Sequence, residues 1–129
     1  MTKICWIDVE TTGLSPVQQD VIQVAGIIEI GGKVEETFEF KCQPHSWDNI
    51  QQKALDVHGF TELDLRGFPA PAETKKELVN IFDVYVNKFD RQDKFYFAGY
   101  NAGFDQGFMN HFRSEEHTSE LQSPCNLVC

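Results

Sequence analysis

The chain has 129 residues, which is enough for one domain and too few for two ordinary ones. Hydrophobic residues make up 41% of it, including 11 Phe, which supplies one core and argues against global disorder. The longest apolar stretches, near residues 24–28, are too short for a membrane span, and Asp8 leaves no room for a signal-peptide core. With four Cys and no C-x-x-C pair, we expect reduced thiols in a cytoplasmic protein.

The net charge of −9 limits how the chain could bind a polyanion, because 11 Lys and Arg stand against 20 Asp and Glu. A protein that binds nucleic acid through its own field is usually basic. If this chain handles a phosphate backbone, bound cations or a partner protein must help it.

Three strands are predicted in the first third of the chain. Residues 3–9 are apolar and β-branched, residues 20–30 form a second run, and residues 33–41 alternate polar with apolar side chains. Gly31 and Gly32 are a hairpin signal. Because the connections are short, we expect the three strands to pair antiparallel.

The rest of the chain predicts helices and one further strand. A short helix is expected at 49–57 within a loose stretch, and a strand at 94–100. Residues 69–89 carry a helical stripe, and a last helix at 103–112 places Phe side chains on one face. The fold class is therefore α/β, with a mixed sheet of three antiparallel strands plus one more, flanked by helices. The predicted core positions of the two helices are Leu78, Ile81, Phe82, Tyr85 and Phe89, then Phe104, Phe108 and Phe112.

The final segment, residues 113–129, differs in character from the rest. It has no aromatic residue and no clear helical or strand period, and it resembles translated sequencing adapter, a peptide that recurs at the ends of unrelated proteins. We expect one incomplete domain over residues 1–112, followed by a non-native or disordered tail.

Two carboxylates lie where the first strand ends. Asp8 and Glu10 are two positions apart, so both side chains leave one face of a strand. Like charges held this close repel each other and favour a divalent cation between them. The simpler alternative is an ordinary pair of solvated acids.

A third carboxylate, Asp105, falls where the fourth strand leads into the last helix. The helix dipole stabilises an acid in the first turn, and that alone could explain the residue. Gly99 and Gly103 favour a functional reading, because they let backbone approach closely beside the acid. Three carboxylates at two strand ends could hold two divalent ions, which activate water and stabilise the leaving oxygen in a displacement on phosphorus.

These residues lie in motifs that resemble those of the DEDD 3′→5′ exonuclease superfamily, DEDDh type, which includes bacterial proofreading subunits and ribonuclease T. Residues 8–14, D-V-E-T-T-G-L, resemble its first motif, and residues 99–109, G-Y-N-A-G-F-D-Q-G-F-M, its second. Residues 54–61, A-L-D-V-H-G-F-T, are similar to a stretch common in the proofreading branch. The resemblance implies a ribonuclease-H-like fold and hydrolysis at a single-stranded DNA or RNA 3′ end, with DNA proofreading or repair favoured.

The resemblance also implies roles for single residues. The catalytic metal ligands would be Asp8, Glu10 and Asp105, holding Mg²⁺ or Mn²⁺, with two ions in the complete enzyme. A polymerase or other replication protein is an expected partner. Tyr100 stands where the second motif usually has His. His58 is as well explained as a helix-capping or core histidine. The substrate contacts implied by the resemblance are Thr11, Thr12, Leu14, His58, Asn101 and Phe104.

The third motif of the family, a His followed five positions later by Asp, is missing. His111 is followed at that spacing by Glu116, but it lies only six residues after Asp105 and cannot reach the cleft. His117 is followed by Gln122, which cannot replace a carboxylate ligand. The chain thus lacks the general base and the fourth carboxylate. A catalytically incomplete fragment that binds nucleic acid or metal is therefore the alternative function, and a structural domain with incidental acids is a third.

Two weaker signals have simple interpretations. The spacing of His111, His117, Cys125 and Cys129 fits no common zinc pattern. Lys75 and Lys76 are expected to be solvated surface residues.

Overall fold

A computed structural model describes residues 1–15, 18–99, 102–114 and 125–127. The strands are β1 (Lys3–Thr11), β2 (Val21–Ile30), β3 (Lys33–Lys41), β4 (Phe95–Ala98) and β5 (Cys125–Leu127). The helices are α1 (Gln52–His58), α2 (Glu62–Arg66), α3 (Pro71–Tyr85) and α4 (Ala102–Ser114). None of the helices described is long and apolar enough to cross a membrane.

The strands form one mixed sheet in the order β3-β2-β1-β4-β5. β1 pairs antiparallel with β2 and β2 with β3, as the short connections predict, whereas β4 pairs parallel with β1. Gly31 and Gly32 have φ of 57° and 85°, the left-handed conformations that a tight hairpin turn requires. The predicted α/β class with three antiparallel strands and one more is confirmed.

One face of the sheet packs against α3 and α4 and carries the main core. Cys5, Ile7 and Val9 of β1 are buried there, and so are Leu78 and Phe82 of α3. Phe108, Met109 and Phe112 complete it from α4. At the described side chains, the helical stripes predicted for these two helices therefore mark the core faces, except at Phe89. The side chain of Phe104 lies outside the described residues.

Phe89 was predicted to extend the α3 stripe, and that prediction is wrong. The helix ends at Tyr85, because Val86 adopts an extended conformation with φ −133° and ψ 129°. Phe89 lies beyond that break and is 87% exposed. The period of 3.6 holds only while the backbone stays helical.

Lys75 also differs from expectation, since the side chain is 3% exposed rather than solvated. Its Nζ lies 3.5 Å from His45 Nε2 and 4.7 Å from the centre of the Phe112 ring. The aliphatic stem of a lysine covers apolar surface well, so the core face of α3 includes this position.

Two short elements were not predicted. α2 is a single turn with a capping box, in which Thr61 and Asp64 exchange side chain to backbone hydrogen bonds. β5 lies within residues 113–129, where no strand was expected, and it pairs parallel with the edge of β4. A three-residue strand carries no periodic signal and is defined by its partner's hydrogen bonds.

Candidate active site

β1 places Asp8 and Glu10 on the face of the sheet that α3 and α4 leave uncovered. Ile7 and Val9 alternate with them and point into the core. Asp8 is exposed and Glu10 half-buried, and a register shift interrupts the pairing with β2 immediately after Glu10. The expectation that both carboxylates leave one face of the strand is confirmed.

α4 brings Asp105 to the same part of β1, although the two are far apart in sequence. Asp105 lies in the first turn of the helix and is only 3% exposed. Its carboxylate accepts a hydrogen bond from the backbone N–H of Val9. β4 pairs with β1 only as far as Trp6, so Asp105 takes the place of a strand partner beyond that point.

Gly99 makes this approach possible. A Cβ at this position would lie 2.5 Å from the carbonyl oxygen of Ile7 and 3.3 Å from Oδ2 of Asp105. The first distance is an impossible contact with fixed backbone. Gly99 therefore lets the backbone approach β1 closely beside the buried carboxylate, as the sequence predicts. The same prediction is wrong for Gly103, because nothing lies within 4 Å of a Cβ added there.

The three carboxylates, which we call the acidic trio (Asp8, Glu10 and Asp105), interact electrostatically. Burial, followed by the charges of Asp8 and Glu10, raises the pKa of Asp105 to about 6, against the hydrogen bond from Val9, which lowers it. Burial also raises the pKa of Glu10, with a further contribution from Asp8, while His58 opposes it. The trio is thus an acidic centre in which protonation or a cation relieves repulsion.

The donor set of the trio fits a hard divalent ion, because all its ligand atoms are carboxylate oxygens. In the described part of the chain, however, no three His, Cys, Asp or Glu side chains are arranged to hold one metal ion. The trio shares an electrostatic environment without forming a preassembled three-ligand site.

The turn that follows β1 is built around the side chain of Thr12, which is fully buried. Its hydroxyl accepts from the N–H of Asp20 at 2.9 Å, and its own N–H donates to the carbonyl of Asp20 at 2.9 Å. Its carbonyl accepts from the N–H of Gln51 at 2.8 Å. Its hydroxyl, its N–H and its carbonyl thus all bond within the turn, and the substrate-contacting role implied for Thr12 stays a prediction.

Leu14 lies at the tip of this turn and is 77% exposed. Its N–H donates to Oε1 of Gln51 at 3.3 Å, and the N–H of Ser15 donates to Oε1 of Gln19 at 2.9 Å. Thr11 is buried, and its hydroxyl donates to the carbonyl of Gly13 at 2.7 Å. An apolar side chain thus projects from a turn whose backbone is hydrogen-bonded by neighbouring segments.

His58 ends α1 and joins it to the end of β1. Its Nδ1 accepts from the N–H of Phe60 at 3.2 Å, so its Nε2 carries the proton and donates to the carbonyl of Thr11 at 3.2 Å. Its ring also packs on that of Phe60, with centroids 4.9 Å apart. Both ring nitrogens are engaged, which fits the capping alternative, and the ring still lies near enough to Glu10 to influence its pKa.

The remaining predicted residues lie at the start of α4. Asn101 and its neighbour Tyr100 are outside the described residues, and Phe104 lies in the first turn of the helix. Sequence reasoning missed Gln19, Asp20 and Gln51, which hold the turn. Glutamine side chains in loops carry no pattern that marks them beforehand.

A family model described as an exonuclease, of the ribonuclease T type, matches residues 5–121 of the chain. The chain belongs to this exonuclease family. The predicted membership of the DEDD 3′→5′ exonuclease superfamily is thereby confirmed. The match extends nine residues into the segment 113–129, so the boundary at residue 112 stays a prediction.

Curated relatives of this exonuclease domain include two bacterial proteins named DNA polymerase III PolC-type. The one from Oceanobacillus iheyensis is 31% identical over 103 residues, covering 80% of this chain and 6% of the relative. The one from Halalkalibacterium halodurans is 27% identical over 117 residues, covering 91% of this chain and 7% of the relative. The chain therefore spans a small fraction of the proteins that it matches.

Solved structures with the same fold include Exonuclease I from E. coli in complex with a dT13 oligonucleotide. That structure superposes with a TM-score of 0.76 at 21% identity, covering 98% of this chain and 27% of the other. An Exonuclease I apo structure gives a TM-score of 0.68 at 25% identity, covering 87% and 24%. The ribonuclease-H-like exonuclease fold predicted from the motifs is thus confirmed.

Proposed function

We propose that this domain serves a divalent-metal-dependent 3′→5′ exonuclease that hydrolyses phosphodiester bonds at single-stranded nucleic-acid 3′ ends. One observation carries the proposal: buried Asp105 hydrogen-bonds to β1 at Val9 and is coupled electrostatically to Asp8 and Glu10. A buried acid held beside two others costs folding free energy. The proposed chemistry explains why the fold retains it.

DNA is the favoured substrate. The relatives are named as DNA polymerases, and one structural neighbour holds a dT13 oligonucleotide. For the protein to which this domain belongs, we propose a single-stranded DNA substrate, a replication or repair protein as partner and a cytoplasmic location. The net charge of −9 agrees with a substrate bound through cations rather than through a basic surface.

Mg²⁺ or Mn²⁺ held by the acidic trio would supply charge stabilisation and an activated water at neutral pH. The chain's own residues then have separate tasks. Asp105 anchors the site to β1, and Asp8 and Glu10 present carboxylates toward solvent. Thr11, Thr12 and Leu14 form the turn that would contact the terminal nucleotide. His58 and Phe104, with Asn101, would complete the substrate contacts.

The second candidate function, a catalytically incomplete fragment, rests on the sequence. None of the four His is followed five positions later by Asp, so the general base and fourth carboxylate of the family are missing from these 129 residues. We therefore expect the chain to bind Mn²⁺ and a 3′ end while hydrolysing slowly.

Metal binding and hydrolysis test the two functions separately. Mn²⁺ binding is measured by titration calorimetry on the wild-type chain and on the Asp8→Ala, Asp105→Ala double variant. Trimming of a 5′-labelled single-stranded oligonucleotide is followed on a gel with Mn²⁺, with Mg²⁺ and with a chelator. We expect Mn²⁺ binding that the double variant loses, and slow, metal-dependent shortening from the 3′ end.

The matched control is the Asp48→Ala, Asp90→Ala double variant, which removes two exposed loop acids and the same charge. It should retain Mn²⁺ binding. Binding that survives in the Asp8, Asp105 variant would refute the trio as the metal site. Rapid hydrolysis by the wild-type chain would refute the incomplete-fragment candidate.

A further inference from the structure

The exposed side chain of Leu14 has little packing of its own to fix it. At 77% exposure its direction is set almost wholly by the backbone of the turn. A leucine that inserts beside a base must be held in place before the base arrives, since ordering it during binding would cost conformational entropy. The position of Leu14 therefore depends on whatever holds residues 12–15.

Two glutamines hold that backbone, one on each side of the turn. Gln19 is 4% exposed, accepts from Ser15 N–H at 2.9 Å and donates through Nε2 to the carbonyl of Asn49 at 3.2 Å. Gln51 donates its backbone N–H to the carbonyl of Thr12 at 2.8 Å, and its side chain accepts from Leu14 N–H at 3.3 Å. We call Gln19 and Gln51 the glutamine clamp.

Gly13 lets both glutamines close on the turn. A Cβ at Gly13 would lie 2.3 Å from Cγ of Gln19 and 2.7 Å from Oε1 of Gln51. The two side chains thus occupy the space that any other residue would need. The clamp ties the turn to residues 49–51, which immediately precede α1.

We infer that Gln19 and Gln51 are positioning residues that fix Leu14 beside the terminal nucleotide, an inference that rests on the proposed function. Neither side chain is a catalytic residue, because each acts through the backbone of the turn. Gln51 is the better position to test. It is exposed, and its side chain makes no capping hydrogen bond to α1, so its replacement leaves the core intact.

The experiment uses a single-stranded oligonucleotide with 2-aminopurine as its 3′-terminal base, bound to the full chain in Ca²⁺. 2-Aminopurine fluoresces weakly when stacked, so separation of the last base by Leu14 should raise its emission. Emission at saturation reports the position of Leu14, whereas anisotropy of the same complex reports affinity. Leu14→Ala gives the emission without the leucine.

We expect Gln51→Leu to lose most of the rise in emission. The equilibrium between ordered and disordered positions of Leu14 should shift about fivefold, as loss of one ordinary hydrogen bond implies. Gln51→Glu keeps an acceptor oxygen for Leu14 N–H and should restore the rise at saturation. Gln52→Leu is the matched control, because the side chain of the neighbouring Gln52 donates to Asp56 within α1.

The outcomes separate this inference from the proposed function. Failure of the wild-type chain to bind the oligonucleotide would overturn both. Binding with a full rise in Gln51→Leu would overturn the clamp and leave the proposed function standing. A Gln51→Leu chain that melts much earlier than Gln52→Leu would show a structural role instead of a positioning one.

Discussion

The acidic trio and the turn that follows β1 are adjacent, yet they are stabilised in opposite ways. In the turn, polar groups around Thr12 find protein partners, so hydrogen bonding favours its conformation. In the trio, Asp105 is buried beside two like charges, so its ionised form is disfavoured. The turn is organised by the chain itself, whereas the trio is left to be completed by a cation or a proton.

The largest effect on stability should come from Gly99, which holds β4 and the trio together. We expect Gly99→Ala to lower the free energy of unfolding by about 3 kcal/mol, because its Cβ would meet the backbone carbonyl of Ile7 at 2.5 Å. Urea denaturation measures this. Gly103→Ala is the matched control, with nothing within 4 Å of the added Cβ, and should be neutral or stabilising. Equal losses in both variants would contradict the close approach.

The next effect has the opposite sign and concerns Asp105. The Asp105→Asn variant keeps an acceptor for Val9 N–H. It removes a buried carboxyl group whose pKa is raised from 3.8 to about 6. We expect about 2–3 kcal/mol of added stability at pH 8, measured by urea denaturation. The folded state of the wild type holds the proton more tightly than the unfolded state. Its stability should therefore fall as pH rises from about 4 to about 6 and stay low above that.

Measuring the stability of Asp105→Asn and of a control variant across the pH range tests this expectation. Asp105→Asn should lack the component that falls between these pH values, while Asp48→Asn, which removes an exposed loop acid, should keep it. Millimolar Mn²⁺ should stabilise the wild type at pH 8 and leave Asp105→Asn unchanged. A destabilised Asp105→Asn chain would show that the carboxylate contributes to folding rather than opposing it.

A smaller loss is expected from the turn. Thr12→Val keeps the shape of the buried side chain but leaves the N–H of Asp20 without its acceptor, at a cost of about 1–3 kcal/mol. Thr37→Val, at an exposed position of β3, should change the midpoint little or raise it. Urea denaturation followed by circular dichroism measures the midpoint of each variant. Equal midpoints would mean that the hydroxyl of Thr12 does not stabilise the turn.

The smallest change in stability should follow Leu14→Ala. An exposed side chain contributes little to the core, so we expect a shift within about 0.5 kcal/mol. The same variant should lose the rise in 2-aminopurine emission. Differential scanning calorimetry checks the stability, and the fluorescence assay checks the emission. A large drop in the melting temperature would mean that Leu14 has a packing role.

Much of the fold could be predicted from local pattern. The bounds of β3 match the expectation, those of β1 and β2 differ by one or two residues, and the core face of α3 follows its helical period as far as Tyr85. Phe89 shows where this reasoning fails, since nothing in the period announced that the helix would end at Val86. β5 and the burial of Lys75 depend on partners distant in sequence, and local pattern does not show them.

The sequence by itself determined that Asp8 and Glu10 share one face of β1, because side chains alternate along a strand whatever the rest of the chain does. Only the tertiary structure decided that Asp105 is buried against Val9 with a raised pKa, and that two glutamines from separate loops meet at Gly13. The physical reason is the distance along the chain over which each effect acts. Side-chain direction follows from the local backbone, whereas desolvation and repulsion depend on which distant groups the fold brings within a few ångströms.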